Sequence, residues 1–339
     1  MAVAVAVAVV ALVVAGSRGP DLEVRWRLLA GSALVGAPAV AGDTVYVTTR
    51  TGALLAVTAE EGQARWRFET AQAMRAGPAV GTGLVYVTTE SADGAGGHVY
   101  AVDGRTGTEQ WRLNADVVPV GPAAVSEGSV FVSAGDVTAL DAVTGAERWR
   151  RGFGATGAGP VAAGAGLAVV ATASGLSALD AATGELRWSW TSTAPPQVAP
   201  VVAGEWVIGD DGAGGVVALD TADGTERWRV PTSGLLQSPV VSGGAVAAAT
   251  SRGVVALDLG SGGLRWRAGP VDDERLRLAG NGVSLVVTAG QAVIVDAASG
   301  DLEGGADLAT TALATPAMGG EVAYVAAGDT LEAVAPVVA

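Results

Sequence analysis

Tryptophan recurs along this chain at positions 26, 66, 111, 149, 188, 228 and 266, at spacings of 40, 45, 38, 39, 40 and 38 residues. A period near forty with so little scatter marks a repeat architecture, in which each unit buries its apolar faces only against its neighbours. Eight residues before five of these tryptophans stands an aspartate: Asp103, Asp141, Asp180, Asp220 and Asp258. Four residues after each aspartate stands a glycine: Gly107, Gly145, Gly184, Gly224 and Gly262. The clearest copies read ALDAVTGAERW, ALDAATGELRW and ALDTADGTERW. A drifted copy with Thr58 for the aspartate precedes them, and another with Gly304 for the tryptophan follows.

Each unit reads as four short strands. A run such as SPVVSG or GPAVG opens it, with proline at the start where no ladder donor is needed. Alternating apolar runs such as GLVYVTT and GVVALD follow, then a turn, then the strand that carries Trp. In the turn, the aspartate side chain accepts backbone N–H groups two or three residues on, and glycine supplies positive φ, which suits a three-residue hairpin with a bulge. Four-stranded units of this length arranged in a ring form a β-propeller.

The two ends are complementary. Residues 310–336 hold three strands of a unit and no Trp strand, whereas LEVRWRL, residues 22–28, is a Trp strand with nothing before it. Pairing them closes the ring, giving seven continuous blades and one composite. The expected fold is therefore all-β, an eight-bladed propeller of four-stranded antiparallel blades over residues 18–339.

With the A-x-D-x-x-T-G-x-x-x-W copies laid out, residues 22–336 resemble the tryptophan-docking repeats of the quinoprotein-type, or PQQ-like, propellers. The resemblance implies that each Trp packs on the glycine turn of the adjoining blade and makes the joint between them. Buried indole agrees with that role, since it removes a large apolar area and seeks a partner for its N–H. Arginine flanks most of these tryptophans, as RWR at 25–27, 65–67, 148–150, 227–229 and 265–267, which places charge along an outer edge and discourages edge pairing.

The resemblance also implies a test for catalysis. PQQ-dependent dehydrogenases of this family are much longer and carry a vicinal cysteine pair, a Ca²⁺ site and a catalytic aspartate. This chain has no cysteine and few insertions, the largest being ESADGAGGH at 90–98. No catalytic residue, cofactor-binding residue or metal ligand is therefore assigned, and no cofactor is expected. The one histidine, His98, cannot make a multi-histidine metal site and reads as a structural residue. No nucleophile elbow stands between a strand and a helix. The acid pairs of GDDGAGG, residues 209–215, and VDDER, residues 271–275, lack the alternating oxygen ligands of an EF-hand.

A net charge of −14 excludes a nucleic-acid backbone as principal partner, because such binders need basic surface. All 20 residues of the Lys+Arg count are Arg, which reads as the coding bias of a GC-rich genome of the actinobacterial kind. The first sixteen residues, MAVAVAVAVVALVVAG, carry no charge. They read as a short hydrophobic helix, a signal peptide or membrane anchor over 1–17, with a folded strand as the competing reading.

What remains is a binding surface. Loops joining second to third strands, and each blade to the next, emerge on one face around the channel. Those loops carry Arg50, Arg75, Glu90, Asp93, Asp116, Gln197, Asp210, Asp211, Gln237, Arg252, Asp272, Asp273 and Glu274. The expectation is an extracytoplasmic, secreted or membrane-anchored, non-enzymatic scaffold propeller, monomeric, that binds a protein or small ligand on this face. In blade number and short loops it is similar to the scaffold propellers of outer-membrane assembly, but without their lipidated cysteine. A PQQ-binding oxidoreductase and the sensor domain of a longer chain are the alternatives.

Overall fold

The computed structural model describes residues 8–10, 22–154, 157–269, 276–289, 291–308 and 314–337. They form eight sheets arranged as the blades of a propeller, antiparallel throughout except for the added strand Ala8–Val10. Blade 1 consists of Leu34–Ala41, Thr44–Thr49, Ala53–Thr58 and Ala64–Glu69, paired in chain order from channel to rim. Blades 2 to 7 repeat this plan. In blade 8, Leu22–Leu29 pairs antiparallel with Thr330–Pro336, with Trp26 opposite Ala333 and Leu28 opposite Leu331. The two distant segments thus complete one sheet. First strands of successive blades lie side by side, and Ala317–Gly319 of blade 8 lies beside Leu34–Ala41 of blade 1, so the ring is closed.

The core lies between blades, in a layer at each joint. In Thr44–Thr49 every residue is buried. Val45 and Val47 pack toward blade 8, while Tyr46 packs toward blade 2. Period-two side-chain alternation thus serves two interfaces rather than one core and solvent.

The D-x-x-T-G segment forms the hairpin it promised, with one change. In blade 4, Asp180 and Glu185 close a loop of four residues, not three, with Asp180 N donating to Glu185 O and Gly184 N donating to Asp180 O, both at 2.9 Å or less. Gly184 takes φ +73°. Asp180 Oδ1 accepts Ala182 N at 3.0 Å and Thr183 N at 2.9 Å. The bulge follows the loop: Leu179 faces Leu186 and Ala178 faces Trp188, leaving Arg187 as the extra residue. The same shift recurs one residue before Trp in blades 1 to 6.

The bulged arginine folds back on its own turn. Arg148, Arg187 and Arg265 reach Oδ2 of Asp141, Asp180 and Asp258 at 2.6–2.7 Å, and Arg227 pairs with Asp220 likewise. One carboxylate therefore caps the turn with one oxygen and holds the edge strand with the other. Arginines after Trp pair with the glutamate three residues back, Arg150 with Glu147 and Arg229 with Glu226. The Arg187 guanidinium and the Thr183 N–H hold the Asp180 carboxyl at about 2, below the ordinary value of about 3.9. Because the folded value is depressed, the stabilisation is complete above pH ~4 and is lost as pH falls toward 2. Thermal unfolding of the native chain and Asp180→Asn should therefore differ at pH 7 and converge below pH 4; a constant difference down to pH 2 would contradict this.

Every docking tryptophan donates its indole N–H to the next blade. Acceptors for Trp26, Trp66, Trp111, Trp149, Trp188, Trp228 and Trp266 are the carbonyls of Ala59, Gly104, Ala142, Ala181, Thr221, Leu259 and Ala297, at 2.8–3.1 Å. The indole lies flat on the turn glycine: a Cβ on Gly184 would sit 2.6 Å from the Trp149 ring. In three joints a tyrosine hydroxyl shares the acceptor: Tyr46 at Gly104, Tyr86 at Ala142 and Tyr324 at Ala59.

The joint between blades 7 and 8 is built differently. Blade 8 is composite, so no turn joins Thr330–Pro336 to Leu22–Leu29 and no glycine awaits an indole. Where the other blades set Ala opposite Trp, blade 7 sets Ile294 opposite Gly304. Ile294 packs with Leu22, Val24 and Val334 instead. A buried carboxylate, Glu332, joins Arg27 at 2.8 Å and ties the two halves of blade 8 together.

At the N-terminus the expected helix is corrected where it can be seen. Ala8–Val10 is a strand, parallel to the rim strand Leu264–Ala268 of blade 6. Valine-rich alternation has strand propensity, and a rim strand offers unpaired backbone groups. The rest of residues 1–17, with its cleavage or anchoring, lies outside the described residues. Among the described residues no helix is long and apolar enough to cross a membrane.

Candidate functional site

The turns bearing D-x-x-T-G occupy one face of the ring, and the longer loops occupy the other. Blade 2 extends onto the loop face. Its strands Leu84–Glu90 and Gly97–Asp103 each run seven residues, and the short strand Ala73–Met74 joins Leu84–Glu90 at its upper end. His98 sits there, its Nδ1 2.6 Å from Gln72 Oε1 and its ring stacked near Tyr100, so it is held structurally.

The loop-face residues divide by what engages them. Arg75 and Glu90 form an ion pair across the base of the blade 2 hairpin. Asp93 accepts the Ser91 hydroxyl at 2.6 Å and Ala95 N at 3.1 Å, which lower its pKa. Asp210 and Asp211, which the sequence offers as an exposed acid pair, are buried. Asp210 accepts Gly212 N and Gln197 N, and Asp211 accepts Ala213 N and Gly215 N, at 2.7–2.8 Å. Both shape the blade 5 loop. Gln237 behaves as a piece of strand: its Nε2 donates to Leu278 O at 2.9 Å, and its Oε1 accepts Leu278 N at 3.0 Å. Arg50 and Arg252 are exposed at turns. Asp272, Asp273 and Glu274 lie outside the described residues.

Two depressions open on this face. The channel mouth holds about 700 Å³, walled by Pro38, Pro78, Pro122 and Pro239 and by Gly, Ala and Val, with Arg75, Gln237, Ser238 and Thr315 as its polar groups. Among the described residues its lining includes no carboxylate and no aromatic ring. Among the described residues no three His, Cys, Asp or Glu side chains gather as metal ligands. A quinone cofactor with a bound cation needs oxygen ligands and a flanking ring, so the described residues of the channel do not fit it. The second depression, about 230 Å³, lies between blades 2 and 3 and involves Asp116. Sequence reading placed Asp116 on this face but missed the cleft, most of whose other residues come from strands.

Comparisons with known proteins agree with this geometry. The chain matches a family model described as outer membrane protein assembly factor BamB over residues 14–134 and 133–277. No curated protein matches it. Among solved structures, BamB from Moraxella catarrhalis is similar, with 17% identity, TM-score 0.74, and 93% of this chain covering 99% of that one. A computationally designed propeller, Ika8, is 16% identical with TM-score 0.79, over 94% of this chain and 100% of that chain. Quinohemoprotein alcohol dehydrogenase from Comamonas testosteroni is 16% identical with TM-score 0.73, over 93% of this chain and 76% of that chain. At such identities the structures share the fold. With more than half of its length on the family model and an eight-bladed ring of docked tryptophans, the chain belongs to the BamB-type family of PQQ-like repeat propellers.

Proposed function

We propose that this protein is a non-catalytic scaffold of the cell envelope that binds a protein partner on its loop face. The observation that carries the reading is the channel, whose described lining is a wall of proline and small aliphatic residues without a carboxylate. Such a wall supplies neither an acid and base nor a cation site, whereas the surrounding loops supply a varied polar rim. The match to a family described as an assembly factor supports a binding role. The apolar sequence of residues 1–16 supports export, as a cleaved signal or an anchor.

Two measurements test the proposal. Purified protein titrated with PQQ and Ca²⁺ should show no saturable absorbance change and no dye reduction. Turnover would replace this reading with an oxidoreductase. Crosslinking in envelope preparations, read by mass spectrometry, should place adducts on the loop face around blades 2 and 3. Adducts confined to the turn face would overturn the assignment of the face.

A further inference from the structure

The cleft between blades 2 and 3 has a composition unlike the channel. Its floor is aliphatic, formed by Val99 and Leu113 of blade 2 and Val132 of blade 3. Thr138 is only 8% exposed and lines the cleft, and its hydroxyl has no hydrogen-bond partner among the described residues. Val132 and Leu140 pack toward blade 2, so the period-two alternation of Asp136–Asp141 aims Thr138 the same way. The Thr138 hydroxyl faces the open cleft, where a donor or acceptor can meet it. Asp136, two residues along the strand, and Asp116 at the rim also line the cleft, and neither carboxylate is hydrogen-bonded or ion-paired among the described residues. Arg150 borders the same space, but Glu147 engages its guanidinium at 2.9 Å. Arg150's charge also acts on Asp136 and Asp116, but the groups left without a hydrogen bond are two carboxylates and a hydroxyl above an aliphatic floor.

We infer that this cleft seats the basic side chain of a partner segment, an arginine or lysine. Its cationic head would meet Asp136 and Thr138, with its stem along Leu113 and Val117. Size favours a side chain over a free ligand: small-molecule sites usually span about 300–1,000 Å³, and this one holds about 230 Å³. A long basic side chain matches both chemistries, because its methylene stem prefers apolar walls while its head needs acceptors. Val117 and Val120, 50% and 40% exposed on the connector beside the cleft, give apolar neighbours of that residue a place to rest. The net charge of −14 draws a basic segment toward the face. This inference rests on the loop face being the binding face and names the chemistry of what it takes.

The test uses the full chain and an acetylated, amidated peptide, Gly-Val-Arg-Val-Gly. Amide NMR should show saturable shifts at residues 113–117 and 136–138. The double variant Asp116→Asn, Asp136→Asn should weaken binding at least tenfold, and Thr138→Val should weaken it severalfold, with both variants keeping the native spectrum elsewhere. A peptide with Glu in place of Arg should give no shifts. Absence of saturable shifts, or equal binding by the double variant, overturns the inference. Agmatine binding as tightly as the peptide overturns the partner side chain in favour of a free amine. Loop-face crosslinks to a partner that persist while the peptide fails would sink this inference alone and leave the scaffold reading standing.

Discussion

Trp266→Ala is expected to cost about 3–5 kcal/mol of unfolding free energy, the range for truncating a large buried aromatic. Trp266 is 1% exposed, the most buried of the docking tryptophans, and packs in the cluster between blades 6 and 7. Its loss leaves a cavity there and takes the indole donor from the Ala297 carbonyl, 3.1 Å away. Whole domains are stable by roughly 5–15 kcal/mol, so one joint is a large share. Gly300→Ala should mimic the effect from the other side, because its φ is +78° and a Cβ would lie 2.7 Å from the indole. Urea midpoints measure both. A change under about 1 kcal/mol for Trp266→Ala would mean that the joints do not hold the ring.

Removing residues 22–29 should be more damaging than any single joint. That strand carries Trp26, which docks on blade 1, Arg27, which partners the buried Glu332, and Leu22 and Val24, which fill the joint with blade 7. Without it, Thr330–Pro336 presents a long apolar strand with open backbone groups, a template for pairing with other chains. The truncated protein should lose its cooperative unfolding transition and run as mixed oligomers in size exclusion. A synthetic peptide of residues 22–29 should restore the elution volume of the intact chain. A truncated chain that unfolds at the native midpoint would show that blade 8 stands without its outer strand.

Much of the architecture is legible in the residues because each repeated position has a local cause. Asp and Gly define the turn, Trp marks the rim strand, and the unmatched segments at 22–28 and 310–336 identify the composite blade. The four-residue loop was harder, since Asp, Thr and Gly serve several hairpin lengths and the arginine bulge appears only when strands are paired. The exchange of Trp and Ala for Gly304 and Ile294 is visible in the sequence, but its meaning needs the fact that blade 8 has no turn. Loop position located the candidate face. It could not tell Asp210 and Asp211, consumed by backbone N–H groups, from Asp116, which remains open. The cleft between blades 2 and 3 was hidden for a similar reason: Leu113, Val132 and Thr138 look like ordinary strand residues until two blades face each other.

The composite blade also sets a timetable for synthesis. Leu22–Leu29 leaves the ribosome early, yet its partner Thr330–Pro336 comes some three hundred residues later. At about 5–20 residues per second, that interval is on the order of tens of seconds. Throughout it this strand must stay unclaimed while blades 1 to 7 assemble behind it. Nascent chains of this protein thus carry an unpaired Leu22–Leu29 for that interval, and a holding factor would act there, before the ring has any means of closing.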